Sequence, residues 1–486
     1  MSDIKTILMK YLPRIILLLL LLLISVFSCR KEESLFTNNS AKLNFSINTV
    51  EFDTVFTTIG SATKQFKIYN PYNKTIKISS IRIARGKNSN FRINIDGIAS
   101  NNVNNITILA KDSLYVFVEV TVDPNNQYSP LVIKDSILFE TNGNVQDVDL
   151  EAWGQNAHYI KPSFHINGLP PYSVIGCDTT WTNNLPHVVY GYAVVDSACT
   201  LIIQAGTKIY FHKNAGLWVY RGGSLKVNGT LAEPVVFQGD RLEQEYKDVP
   251  GQWDRLWINE GSKDNEINYA IIKNGFIGIQ TENLVRPMGN KLILKNTIIK
   301  NMSSTGLLTR NYKVKAYNDI IVNCAQYACA ITGGGNYSFN HCTLANYSSH
   351  KEPSLAITNS FKINDILYLA NLDSAYFGNC IIYGNTNNEI ALDSAGTILF
   401  NYKFDHCLVK VDTSIHTSNS YHFKTIYINQ EPDFVNPFNS DFKLNSSSFA
   451  IDKGDIDIGR AFPTDLISKS RIDDLAPDLG AYEYRP

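Results

Sequence analysis

Cysteines, clustered aromatic rings and alternating aspartates are the residues of this chain whose types and spacing could do chemistry. Cys342, Cys380 and Cys407 each stand one residue before a recurring two-residue strand motif, so they fall on one inward line. Thiolates so arrayed could ligate a soft metal. Neighbours along a strand point to opposite faces, however, so His341 and His406 turn away from the thiols beside them. With no histidine on that face, the spacing predicts buried structural thiols and no metal site. Cys177 and Cys199 flank the start of the repetitive region and could close a disulfide in an oxidising compartment, as could Cys324 and Cys329. Trp253 and Trp257 lie among Tyr210, Phe211, Trp218 and Tyr220, and their rings could carry sugar or pack in a core. Asp452, Asp455 and Asp457 alternate in a manner that suits Ca²⁺ or the corners of a turn. General acid–base chemistry would show as carboxylates or basic residues recurring on one outward face of adjacent repeats. The outward slots of the repeat frame read as Asn, His and apolar residues, so no catalytic residue and no cofactor are assigned.

The elements that must position these residues are read from periodicity. Ile271-Ile272, Ile298-Ile299, Ile320-Ile321, Thr343-Leu344, Ile381-Ile382 and Leu408-Val409 recur at steps of 20-odd residues, apart from one long step before Ile381. Tyr269, Asn296, Asn318, His341, Asn379 and His406 stand two residues before the pairs, and Asn274, Asn301, Asn323 and Asn346 two after the first four. Such a unit cannot bury its apolar face alone, but units stacked in register can. Asn suits the corners because it tolerates left-handed φ and bonds backbone, and stacked Asn side chains could form amide ladders. Asp319 falls in the inward line, which implies either a coil shifted by one residue or a hydrogen-bonded carboxyl inside. The long step implies a loop inserted between about 347 and 375.

Cys199 to Phe211, Gly223-Ser224-Leu225-Lys226-Val227-Asn228-Gly229-Thr230 and Pro234-Val235-Val236-Phe237 resemble the first coils of the pectate-lyase-like right-handed β-helix superfamily. Ser448 to Asp455, Asp465, Arg471 and Pro477 to Tyr484 resemble the C-terminal element of many secreted β-helix proteins, with Ser468 in place of a usual glycine. That element is expected to close the open end of the helix. Members of the superfamily cleave polysaccharides as lyases or hydrolases.

Upstream, Lys64 to Tyr69, Ile76 to Ile83 and Leu114 to Val120 alternate apolar and polar residues in short runs, as half-buried antiparallel strands do. With Asn70 at a turn, this order resembles immunoglobulin-like domains of the kind first described in spindle- and cilium-associated proteins. At the N-terminus, Lys5, Lys10 and Arg14 precede an apolar run from Ile15 to Ile24, the length of a signal-peptide core. Val26-Phe27-Ser28-Cys29 resembles a lipobox, which implies cleavage before Cys29 and lipidation of its sulfur and amine, a stable two-signal anchor. The following Arg30-Lys31-Glu32-Glu33 resembles the export signal of Bacteroidetes-type surface lipoproteins. Cleavage removes three basic residues and one acidic one, taking the net charge from −1 to −3, which leaves no electrostatic footprint for nucleic acid.

The sequence therefore predicts an all-β chain. Its parts are a signal peptide (1–28), a tether (29–40), an immunoglobulin-like antiparallel β-sandwich (41–156), a linker (157–176), a right-handed parallel β-helix (177–430) and a C-terminal cap (431–486). The function expected is that of a non-catalytic lipoprotein anchored in the outer membrane and exposed at the cell surface. Its β-helix would bind a polysaccharide or an envelope protein; the alternative is a polysaccharide lyase or glycoside hydrolase.

Overall fold

The computed structural model describes residues 34–57, 60–122, 131–283, 291–348, 351–473 and 475–484. Cys29 and the signal-peptide and lipobox residues lie outside them. The described chain is all-β and divides after Gly154 into two compact units.

In the first unit, two five-stranded antiparallel sheets enclose one apolar core. The strand Ile76–Ile83 shows the cause: its isoleucines are buried while Lys77 and Arg82 face water, the period-two alternation read from the sequence. Asn70 is buried at the turn after Lys64–Tyr69. Its amide donates to the carbonyls of Lys74, Ile108 and Leu109, and its oxygen accepts from the Tyr72 amide at 2.9 Å.

The second unit is a stack of coils, each crossing three parallel faces. The first face runs from Tyr172–Val174 through Tyr192–Val195, Gly216–Val219, Leu256–Ile258 and Ile279–Glu282 to Ile390–Asp393. The second runs from Thr179–Trp181 through Thr200–Gln204 and Ser224–Asn228 to Phe423–Lys424. Two long strands, Leu307–Tyr317 and Cys329–Asn340, serve both of these faces. The third face is an eleven-stranded sheet from His158–Ile160 to Tyr427–Ile428.

All six apolar pairs of the repeat frame sit on the third face and pair residue for residue, Ile271 on Ile298, Ile298 on Ile320, and so on to Leu408. Tyr269, Asn296, Asn318, His341, Asn379 and His406 turn the preceding corner with φ between 45° and 56°. Amide ladders form at the corners: Asn318 donates to Asn296 at 3.1 Å, Asn296 to Asn268 at 3.0 Å, and Asn301 to Asn274 at 2.7 Å. Inside, Phe339, Phe377, Phe404 and Phe423 stack at 5.0–5.4 Å on the second face. Each such buried ring contributes about 1.5–3 kcal/mol.

Cys342, Cys380 and Cys407 are buried free thiols, as are Cys324 and Cys329, so no bridge joins the latter two. Asp319 is fully buried in an unshifted coil. Its Oδ1 accepts from the Thr297 amide at 2.8 Å, which decides between the two readings of that position in favour of the internal hydrogen bond. The long step holds a first-face strand, Leu355–Thr358, and then an antiparallel hairpin of Ser360–Ile363 and Ile366–Leu369.

The C-terminal element departs from expectation. Instead of closing the end of the stack, it lies along the third face. Ile320, Ile381 and Leu408 point outward there and are buried under Phe434, Phe442, Leu444, Ala450, Leu466 and Leu479. Apolar side chains on both sides of a strand need cover on both sides, and this segment supplies the second. Arg471, fully buried, pairs with Glu483 and reaches Asn318 Oδ1 and the Gly480 carbonyl at 3.1 Å, tying the segment to a corner in the middle of the stack. Ser468 has φ 63°, in the left-handed region that favours glycine. Asp455 caps the short helix Ile456–Ala461, and Asp457 pairs with Arg460 at 3.0 Å. Among the described residues, no group of three or more His, Cys, Asp or Glu side chains could hold a metal ion.

Candidate functional site

On the first face, inward positions are core residues such as Leu217, Leu256 and Ile279. The residues between them point outward and stack by register: Val194 beneath Trp218, Trp218 beneath Trp257, Trp257 beneath Gln280. Beside this column Glu282 pairs with Arg310 and Arg310 with Thr332. Parallel pairing thus brings residues far apart in sequence onto one outward strip.

The strip begins as an aromatic ridge. Trp218 and Trp257 stack at 4.9 Å with their planes 15° apart, and Tyr192, Tyr172 and Tyr220 meet them edge-on. Trp257 is half-buried, Tyr220 is exposed, and Trp218 is buried with an indole N–H that has no partner. Gly216 makes room for Tyr192: a Cβ there would stand 2.7 Å from the tyrosine ring and 2.5 Å from the Arg255 carbonyl oxygen.

A polar chain continues from the ridge. The Tyr192 hydroxyl donates to Asp254, which also accepts from Arg255 Nε at 2.9 Å and lies 2.8 Å from its terminal nitrogen. Arg255 donates onward to Gln280, and Gln280 donates to Glu282 at 2.9 Å. Glu282 accepts from Trp257 Nε1 at 2.7 Å and faces Arg310 at 3.5 Å. Burial, with the Asp254 carboxylate beside it, pushes the Tyr192 phenol up, so it stays a donor. Each carboxylate already meets three donors or cationic nitrogens. The arrangement is a set of hydrogen-bonding groups locked in place beside a flat apolar surface, which suits recognition of a ring bearing hydroxyl groups.

Of the residues singled out from sequence, Trp257 sits in this strip and Trp253 does not. Trp253 is buried in the core, stacked on Phe211 at 4.6 Å with its Nε1 donating to the Lys273 carbonyl, so it has no free face for a ligand. Cys177 and Cys199 form a disulfide beside Thr179–Trp181 and Thr200–Gln204, stapling two successive coils. Asp254, Arg255, Gln280, Glu282 and Arg310 correct the reading that outward slots hold only Asn, His and apolar residues. That frame covered the third face alone; on the first face the register neighbours Trp257 and Gln280 stand 23 residues apart, and Glu282 and Arg310 28 apart.

No family model matches the chain, and no curated protein matches it. Among solved structures it is similar to a family 123 glycoside hydrolase from Clostridium perfringens (11% identity, 22% of this chain, TM-score 0.17), of whose length it spans 23%. It is also similar to the ASH/PapD-like domain of human CEP192 (7% identity, 27% of this chain and 97% of that one, TM-score 0.18). A third likeness is to the catalytic unit of a GH87 alpha-1,3-glucanase from Streptomyces thermodiastaticus (10% identity, 75% and 87%, TM-score 0.27). TM-scores this low carry no inference about activity, and the all-β description rests on the strands themselves.

Proposed function

We propose that this chain is a lipid-anchored protein of the bacterial cell envelope that binds glycan on the first-face strip around Trp257 and does not cleave it. In this reading it is an immunoglobulin-like sandwich followed by a right-handed parallel β-helix, the hand that about 98% of parallel crossovers take. Cys29 carries the lipid and holds the protein at the outer membrane, facing outward. The observation that carries the binding function is the junction of the Trp218–Trp257 ridge with the chain Asp254–Arg255–Gln280–Glu282–Arg310. A sugar ring would lie on Trp257 and exchange hydrogen bonds with Asp254, Arg255 and Arg310, the partly exposed members of the chain, which the buried Gln280 and Glu282 hold in place, so little ordering cost accompanies binding.

Cleavage draws on the same place, because Asp254, two residues before the strand Leu256–Ile258, and Glu282, at the end of the strand one coil on, are both carboxylates of this strip, and hydrolysis uses paired carboxylates. The test is incubation of the full chain with acidic and neutral polysaccharides. Retention of a polysaccharide with neither unsaturated ends nor new reducing ends supports binding; product ends that vanish in Glu282→Gln support the enzyme. For the anchor, Cys29→Ala should lose incorporated lipid label and leave the membrane fraction; retained label would refute lipidation at Cys29.

A further inference from the structure

In the first unit, residues 36–43 are gripped mostly by side chains. Asn142 lies in the two-residue turn between the strands Leu131–Thr141 and Asn144–Gln155. Asn144 and Gln146 follow on the face of the second strand that is buried in the core from Val148 through Leu150 to Ala152. Beyond the core these positions carry amides, which bond backbone. Asn142 donates to the Phe36 carbonyl at 2.7 Å and to the Asn38 carbonyl at 3.1 Å. Asn144 donates to the Asn39 carbonyl and, at 3.1 Å, to that of Ala41. Gln146 donates to the Leu43 carbonyl at 3.0 Å and accepts from the Leu43 amide at 2.7 Å. On the other side, the Thr75 carbonyl accepts from the Phe36 amide at 2.8 Å. The Tyr72 ring stacks on Phe36 at 4.1 Å, and its hydroxyl accepts from the Lys42 amide at 2.9 Å.

The direction of this contact decides what it can bear. Phe36 to Leu43 and Asn142 to Gln146 advance together, and the Asp149 amide continues the series by donating to the Asn48 carbonyl at 3.0 Å. The segment therefore runs parallel to the strand Asn144–Gln155. Residues 29–34 lead into the segment, and the chain passes to the second unit at the far end of that strand. A pull on the two ends of the chain thus draws these neighbours in opposite directions along their length. The amide bonds are loaded together, in shear. A neighbour running the other way would be peeled off one bond at a time, and a single hydrogen bond contributes only about 0.5–1.5 kcal/mol.

We propose that Asn142, Asn144 and Gln146 form a load-bearing clasp, which keeps the first unit folded when tension runs from the anchor at Cys29 to the second unit. The source of that tension rests on the lipid-anchor reading; the clasp itself does not. The experiment is optical-tweezer pulling of the full chain in detergent, through handles at its two ends. Unfolding of residues 35–154 should appear as a step of about 400 Å, far shorter than a step of the second unit. In the variant combining Asn142→Ala, Asn144→Ala and Gln146→Ala, the force at that step should fall at least twofold, with an unaltered circular dichroism spectrum showing that the protein is folded. Val103→Ala, in the core on the strand Asn102–Ile108 at the opposite edge of the same sheet, should lower the melting temperature and keep the parent's force. Equal force in the parent and the triple variant overturns the proposal, as does an equal fall in Val103→Ala. Cys29→Ala pulled in the same way should show the parent's force, so failure of lipidation and failure of the clasp are read separately.

Discussion

Asp319→Asn should stabilise the protein, and increasingly so as pH rises. The Asp319 carboxyl is fully buried; Oδ1 accepts from the Thr297 amide, while Oδ2 has no partner. Burial pushes its pKa well up, with the Cys342 thiol adding to the effect. The folded state therefore keeps the proton at pH values where the unfolded chain, near the ordinary value of about 3.9, has released it. Below that value both states are protonated and Asp319 costs nothing by ionisation. Above it, folding must take up a proton, and stability falls by about 1.4 kcal/mol per pH unit until pH passes the folded value, where the loss is complete. Asparagine keeps the oxygen that accepts from Thr297 and cannot ionise. The stability gap between variant and parent should thus widen by about 1.4 kcal/mol from pH 5 to pH 6 and again to pH 7 while the folded value lies above that window. Urea unfolding followed by tryptophan fluorescence at each pH measures the gap. A gap that stays constant with pH would refute the reasoning, because the carboxyl would then titrate alike in both states.

Arg471→Ala leaves Glu483 buried without its cation and frees the C-terminal segment from Asn318 and Gly480, at a cost of about 3–5 kcal/mol. Limited proteolysis should then cut within residues 431–473 before it cuts the coils; equal resistance would contradict this. Gly216→Ala drives a methyl group into the Tyr192 ring and the Arg255 carbonyl oxygen, with a stability loss of about 1–3 kcal/mol. It should also displace the Tyr192–Asp254 bond, so retention on a glycan array should fall along with the melting temperature.

Much of the third face was legible because its pattern is redundant. Six apolar pairs, a left-handed corner before each and an asparagine after each of the first four specify one register, and a slip by one residue would expose every inward side chain. Asp319 shows the limit: its place in the inward line was visible, but only the Thr297 amide opposite it tells how a carboxyl is tolerated there. The first-face strip was not legible, since Asp254, Glu282 and Arg310 belong to coils of unequal length and come together only through parallel pairing. Trp253 and Trp257 looked alike in sequence. An even separation would place both on one side of a continuous strand, but Trp253 precedes the strand Leu256–Ile258 and its ring enters the core instead. The place of the C-terminal segment along the flank follows from Ile320, Ile381 and Leu408, whose outward apolar faces demanded cover.

The central claim, glycan binding at the Trp257 strip, is tested most directly by retention of the parent, Trp257→Phe and Trp257→Ala proteins on a glycan array, with thermal melting as the folding control. The expected result is a glycan retained by the parent, at least tenfold weaker retention by Trp257→Ala, and an intermediate value for Trp257→Phe, which keeps a ring but loses the N–H to Glu282. Equal retention by all three folded proteins would contradict it.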